Sequence, residues 1–451
     1  MTSTWSLAAL LAATALTAPS AAHAQQADVA AELAAMRAKI ESLEAKVAEL
    51  EARKPAAAPA AAATVPSWKG APLFEDKQAG WSFKPRGRIQ YDAAWVGRPD
   101  GNQDPGLGFS NEARRMRLGA EGTIPGGFGY KFEVDFADNE VELTDAVLTY
   151  QAAKGLGVTI GQHNNFQSLE ELSSSRFISF MERAAFTDAF NFERRVGVSL
   201  GYSTGDVIVQ GGVFTDNVND LANSGDGTGL GDENNSLSAD GRIVYAPKLG
   251  ETQLHVGGSA HLRDSGDTNE LGVRTRYRQR PFVHTTNTRF LATPSLNVDK
   301  ESDYGLELAA INGPFHAAAE AHWLTPSLPG AANPTFFGGY AELGWFITGE
   351  TRGYKGGQWD RTKVLKPVGT AGGMGALQLN LRYDHLDLAD AGINGGRQGG
   401  YQASLIWIPQ DYIRFMLNYA HLSYDDAAIA AADGDRDYGI DVVGARAQLD
   451  F

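Results

Sequence analysis

Residues 273–280 read VRTRYRQR, placing Arg274, Arg276, Arg278 and Arg280 at every second position. Side chains of an extended chain alternate faces, so these four guanidinium groups would share one side, about 7 Å apart. Like charges held that close repel each other unless anions or water lie against them. Their potentials overlap within a Debye length, and the planar guanidinium fork matches phosphate or carboxylate oxygens two at a time. A row of this kind, hung inside a pore, passes anions between several weak sites. The bland alternative is a solvated loop touching lipopolysaccharide phosphates. From Leu271 to Val298 the segment adds Arg289 and holds no acidic residue, although the whole chain carries a formal charge of −15. That overall balance argues against nucleic acid as a partner.

Other chemistries find less support. The chain has no cysteine, which removes disulfides, thiolate metal sites and cysteine nucleophiles together. His255 and His261, like His316 and His322, would lie about 20 Å apart along a strand, too far to share a metal. SGDGTGLGDENN (224–235) and DGDRD (433–437) lack the spacing of a calcium loop. No phosphate-cradling G-x-x-x-x-G-K-[ST] and no G-x-S-x-G occurs. Ser259 and His261 share a strand face, but no orienting acid completes a triad. Neither an enzyme nor a cofactor is expected.

The elements that must position the arginines begin after a processed N-terminus. Residues 5–18 form a short apolar run and Ala22-His23-Ala24 offers a cleavage site, so residues 1–24 are expected to be a signal peptide. Residues 25–53 are expected to be a coiled coil, with a heptad over residues 29–50. Leu33, Ile40 and Val47 fall at a, while Val29, Met36, Leu43 and Leu50 fall at d. The g and following e′ residues are of opposite sign (Glu32 with Arg37, Lys39 with Glu44, Lys46 with Glu51), as in a parallel coiled coil between chains. A Pro/Ala linker and barrel approach occupy residues 54–80.

From residue 81 the period becomes 2. Ile89, Tyr91 and Trp95 alternate with Arg88, Gln90 and Asp92. Met116, Leu118 and Ala120 alternate with Arg115, Arg117 and Glu121, so in regular geometry Arg114 points away from the side of Arg115. Segments with an apolar face opposite a charged one recur near 84–96, 113–123, 128–138, 142–152, 156–163, 194–203, 206–215, 237–247, 252–263, 303–312, 314–324, 335–348, 375–387, 399–409, 411–424 and 437–451. Short turns such as IPGG (124–127) and IPQ (408–410) alternate with long connections, and the chain ends on Phe451. The segments predict an all-β, 16-stranded antiparallel transmembrane barrel over residues 81–451, in contact with lipid bilayer and lipopolysaccharide, with a water-filled lumen. Three long connections, 164–193, about 264–302 and 349–374, are expected to fold into that lumen.

ARRMRLGAEG (113–122), GYKFEVDF (129–136), VTIGQ (158–162), GRIVYAP (241–247), FITGETRGY (346–354) and LQLNLRYDHLDL (377–388) resemble the phosphate-selective porin O and P family. The resemblance implies a homotrimeric outer-membrane channel whose inward loops narrow the pore and whose arginine ladder leads anions to a basic eyelet. It further implies that Arg274, Arg276, Arg278 and Arg280 are the ladder. Arg88, Arg115 and Arg176 resemble the eyelet cations, Asp135 or Asp145 the nearby acid, and Ser168 a hydroxyl donor. Arg117 faces inward beside Arg115. The family's G-Q-F-K reads G-Q-H-N here, with His163 and Asn164 in place of the aromatic residue and the lysine. The resemblance therefore implies passage of small anions, phosphate or polyphosphate first. Dicarboxylates, or weakly selective diffusion, are the alternative. A related dicarboxylate-type branch carries a periplasmic coiled coil similar to residues 29–50, which in a different reading would anchor the protein to the cell wall.

Overall fold

A computed structural model describes residues 22–52, 66–218, 236–265 and 274–451. Most of the expected signal peptide, the linker core 54–65 and the Gly/Asp-rich stretch 224–235 lie outside the described residues. The chain divides into two units, residues 1–64 and 65–451. In the first, Ala22–Ala52 forms one α-helix, and the heptad side chains Leu33, Met36, Ile40, Leu43 and Val47 on it are exposed.

The second unit is a closed barrel. Its sixteen strands are β1 (Trp81–Val96), β2 (Gly108–Ile124), β3 (Phe128–Asp135), β4 (Glu142–Ala153), β5 (Leu156–Asn164), β6 (Arg194–Thr204), β7 (Val207–Phe214) and β8 (Leu237–Tyr245), followed by β9 (Thr252–Asp264), β10 (Lys300–Asn312), β11 (Phe315–Ser327), β12 (Phe336–Phe346), β13 (Ala376–Asp390), β14 (Ile393–Gln410), β15 (Ile413–Asp425) and β16 (Tyr438–Asp450). Each pairs antiparallel with the next, and β16 closes on β1 with Val442 opposite Val96 and Asp450 opposite Arg88. Closure leaves no sheet edge unpaired, the condition for a sheet to cross a bilayer. Among the described residues no helix is long and apolar enough to cross; the strands do.

Polarity is inverted relative to a soluble protein. Leu343 is 66 % exposed while its neighbour Glu342 is 3 % exposed. On β13, Leu381 and Tyr383 face outward, whereas Gln378, Asn380, Arg382 and Asp384 are buried toward the lumen. Each expected segment coincides with a strand. β2 and β14 start earlier than their patterns suggested, at Gly108 and Ile393. As a result β13 and β14 are joined by the two residues Ala391 and Gly392 at an end where long connections were expected. The IPGG turn closes β2 onto β3 through Gly126 and Gly127 at φ +95° and +87°, angles open to glycine alone at little cost.

The lumen holds an apolar core. Near the outer end, Phe186 and Phe190 of connection 165–193 gather with Tyr277, Phe282, Phe290 and Leu291 of connection 265–299. They rest on inward residues of the late strands, among them Leu386, Leu422, Tyr424 and Val442. From the other end, connection 347–375 sends in a small hairpin, Gly353–Lys355 paired with Gln358–Asp360. Trp359 of that hairpin is buried, and its amide donates to Ser173 Oγ at 2.9 Å. Segments from the two ends of the barrel thus meet inside it.

Candidate functional site

Connection 165–193 has an apolar back and a polar front. Phe180, Met181, Phe186 and Phe190 are buried, and Phe186 stacks on His322 of β11 with centroids 4.6 Å apart. Two wall glycines make room for that back. A Cβ on Gly338 would lie 2.4 Å from Phe186 Cβ, and one on Gly444 2.8 Å from Met181 Sδ. Ser168 sits at φ +66° and its Oγ accepts from the amides of Glu170 and Glu171. The amides of Leu169 and Glu170 also donate to the Glu320 carboxylate of β11, both at 2.8 Å.

Arginines of the late strands hold this segment. Arg382 bonds Glu170 of the loop and, at 2.7 Å, Glu342 of β12. Its guanidinium lies 4.5 Å from the Phe180 ring centroid and 4.4 Å from that of Tyr340. Arg414 donates to the carbonyls of Arg176 and, at 2.9 Å, Ile178. Arg446 donates to the Met181 carbonyl at 2.6 Å while clasping Asp92. Arg352, from the opposite connection, reaches the Phe177 carbonyl at 2.8 Å and Ser179 Oγ at 2.7 Å. None of these four is among the expected site residues. For Arg382, Arg414 and Arg446 the inward register on a polar strand face was visible, but not that a loop backbone would come to meet them.

Between the polar front and strands β1–β7 lie two cavities. The inner one, about 500 Å³, is lined by Arg88, Arg115, Arg117, His163, Asn164 and Arg176, together with Asp145. Its lining counts nine Lys and Arg against five Asp and Glu, so it is basic within an acidic protein. Arg88 donates to Ser175 Oγ at 2.7 Å and Ser174 Oγ at 3.4 Å. Arg115 donates to the neutral Gln90 amide at 2.8 Å. Arg176 has Ser174 Oγ at 3.1 Å and Asp450 at 3.4 Å. Arg117 is occupied by Asp135 and Glu133 at 2.7 and 3.1 Å. His163 Nδ1 lies 2.9 Å from the Gly161 carbonyl, which can only accept, so Nδ1 donates and Nε2 is left to accept from Ser199 at 2.8 Å.

Two expected residues lie elsewhere. Asp135 does not border the cavity but anchors Arg117 and the Met116 amide. Ser168 is fully buried as the helix cap, behind the lining. Asp145 borders the cavity and bonds Lys131 at 2.9 Å and Arg194 at 3.3 Å.

The outer cavity, about 300 Å³, has four arginines against five acidic side chains. Of the arginine row 274–280, Arg280 lines it, and Asp188 accepts from the Arg280 amide at 2.7 Å. Arg274, Arg276 and Arg278 are exposed, opposite in alternation to buried Tyr277 and Gln279. Asn191 of the inward loop bonds the Arg276 carbonyl at 3.3 Å, so the row runs beside that loop. Arg114 and Arg115 both face the interior. The register slips there, with Gln90 opposite Arg115 and Tyr91 opposite Ala113. This bulge lets two consecutive side chains point to one face. Arg114 borders the outer cavity and Arg115 the inner. Arg114 grips Glu182 at 2.9 Å. Burial opposes ionisation of Glu182, but Arg114, Arg446 and Arg115 hold its carboxyl well below the usual range.

Among the described residues no three metal-binding side chains gather. The lumenal histidines pair with acids instead: His255 with Glu307 at 3.1 Å, His261 with Asp240 at 2.7 Å and His322 with Asp303 at 2.9 Å.

A family model described as phosphate-selective porin O and P matches residues 83–451. An uncharacterized protein of Caulobacter vibrioides is 53% identical over 397 residues, covering 88% of this chain and 79% of that one. Porin O of Pseudomonas aeruginosa is 24% identical over 395 residues, covering 79% and 86%. Among solved structures, the outer-membrane protein OmpT of Vibrio cholerae shares the fold at 10% identity and a TM-score of 0.50, over 82% of this chain and 98% of that one.

Proposed function

The chain belongs to the phosphate-selective porin O and P family, and from that membership we propose that it passes small anions by diffusion across the outer membrane, inorganic phosphate foremost. One observation carries the anionic preference: an inner cavity with nine cations to five acids, in a protein of net charge −15. Arg115, which bonds a neutral amide, and Arg88, which bonds serine hydroxyls with Glu133 no nearer than 4.0 Å, supply the fixed charge. The exposed Arg274, Arg276 and Arg278 are the outer collecting row, handing anions to Arg280. Several weak sites in series let an ion leave as readily as it arrives.

The reversal potential of purified protein in a planar bilayer under a KCl gradient tests this. Anion preference is expected, with phosphate reducing chloride current. Cation preference would end the proposal. The exposed stripe Leu33, Met36, Ile40, Leu43 and Val47 supports a second element: a periplasmic coiled coil that assembles a homotrimer. Removing residues 25–53 should lower the assembly state, measured by light scattering in detergent. If it instead weakens the envelope with assembly intact, cell-wall anchoring is the helix's role.

A further inference from the structure

The two cavities share three lining side chains, Glu171, Arg183 and Arg194. These border both cavities and so mark where the two adjoin, and Glu171 is the one acid among them. Its side chain is 8 % exposed. Arg183 Nε lies 3.4 Å from one carboxylate oxygen, and Asn164 Nδ2 lies 3.5 Å from the other. The Glu171 carbonyl accepts from the same two residues, at 3.1 and 3.2 Å, which fixes the backbone beneath the side chain. Arg194 opposite is engaged by Asp145 at 3.3 Å. Glu171 is therefore the one carboxylate that borders both cavities, set between two arginines where the outer cavity gives way to the basic inner one.

We propose that Glu171 is a specificity-determining residue that makes the channel favour singly charged over multiply charged anions. The physical reason is arithmetic. Repulsion from a fixed charge scales with the charge of the passing ion, so a dianion meets twice the barrier of a monoanion. The surrounding cations recover part of this for both. The inference rests on the anion-conducting reading above and names its substrate class: monoanions, including the singly charged form of phosphate.

Perchlorate and sulfate are tetrahedral oxyanions that differ in charge, and their permeability ratio isolates the effect from conductance. In bi-ionic bilayer measurements on the full-length protein, Glu171→Gln should raise sulfate relative to perchlorate by about threefold, the effect of one unit charge across about 6 Å at a water-like dielectric. Glu171→Asp, which keeps the charge, should stay near wild type. Arg183→Gln should shift the ratio the opposite way, and it carries the test if the Gln variant fails to insert. An unchanged ratio in Glu171→Gln, or equal ratios in the Gln and Asp variants, overturns the inference. A cation-selective wild type would instead overturn the reading on which it rests.

Discussion

Replacing Arg382 by Met should free the inward loop without dissolving the barrel. The side chain is 1 % exposed and joins Glu170 of the loop to Glu342 of the wall. Met keeps much of the volume between Phe180 and Tyr340 but strands two buried carboxylates. Removing one partner of a buried ion pair costs on the order of 3–5 kcal/mol. The cost falls on the loop, because Glu170 also accepts from the Ala184 amide at 2.9 Å and the strand ladder does not depend on either carboxylate. At about 1.4 kcal/mol per factor of ten, the population with the loop detached rises by roughly 10²–10⁴. Two measurements read this directly. Single-channel recordings should show larger, flickering conductance, and trypsin should cut after Arg176 or Arg183, which wild type shields. Heat-modifiable migration in detergent gels reports whether the barrel is intact. An intact barrel with wild-type conductance and no new cleavage would refute the assignment of Arg382 as a loop clamp.

The Arg276→Ala/Arg278→Ala double variant should reduce chloride conductance most at low salt, because screening shortens to about 3 Å near 1 M; an equal loss at all salt concentrations would point to a collapsed loop. Arg88→Gln with Arg115→Gln should lower the anion-to-cation permeability ratio, read from the same reversal potentials, and a ratio unmoved by both would remove them from the route. Burial pushes the Glu171 carboxyl above the ordinary glutamate range, against Arg183, Arg194 and Arg115. It therefore takes up its proton at a higher pH than an exposed glutamate, and anion preference should climb as pH falls through that range. Glu171→Gln should abolish this part of the climb. Glu182, held low by its arginines, stays charged and contributes nothing to it.

Much of the architecture lay in the period of the pattern. Strand residues alternate faces, so an outer wall in lipid and an inner wall in water write themselves as Ile89-Gln90-Tyr91 or Leu381-Arg382-Tyr383, and the sixteen segments follow. The helix over the heptad and the inward connections from both ends were likewise readable from residue type and spacing, as was the inward facing of Arg115 and Arg117, whereas Arg88, His163, Asn164 and Arg176 entered through the family resemblance. What periodicity could not reveal is register. Arg114 joins Arg115 inside because a bulge adds one residue to β2, and that slip is decided by hydrogen bonding with β1 rather than by the local pattern. Nor could it separate arginines that meet ions from those that meet backbone. Arg382, Arg414 and Arg446 look like selectivity residues on their strands, yet they are spent on the loop because its carbonyls and Glu170 arrive there when the chain closes. Ser168 is equally a hydroxyl in sequence and a buried helix cap in space. The sequence by itself determined which faces are wet, since that depends on side-chain chemistry alone. Which wet cations remain uncompensated was decided by contacts between residues hundreds of positions apart, and these exist only once the barrel has shut around its loops.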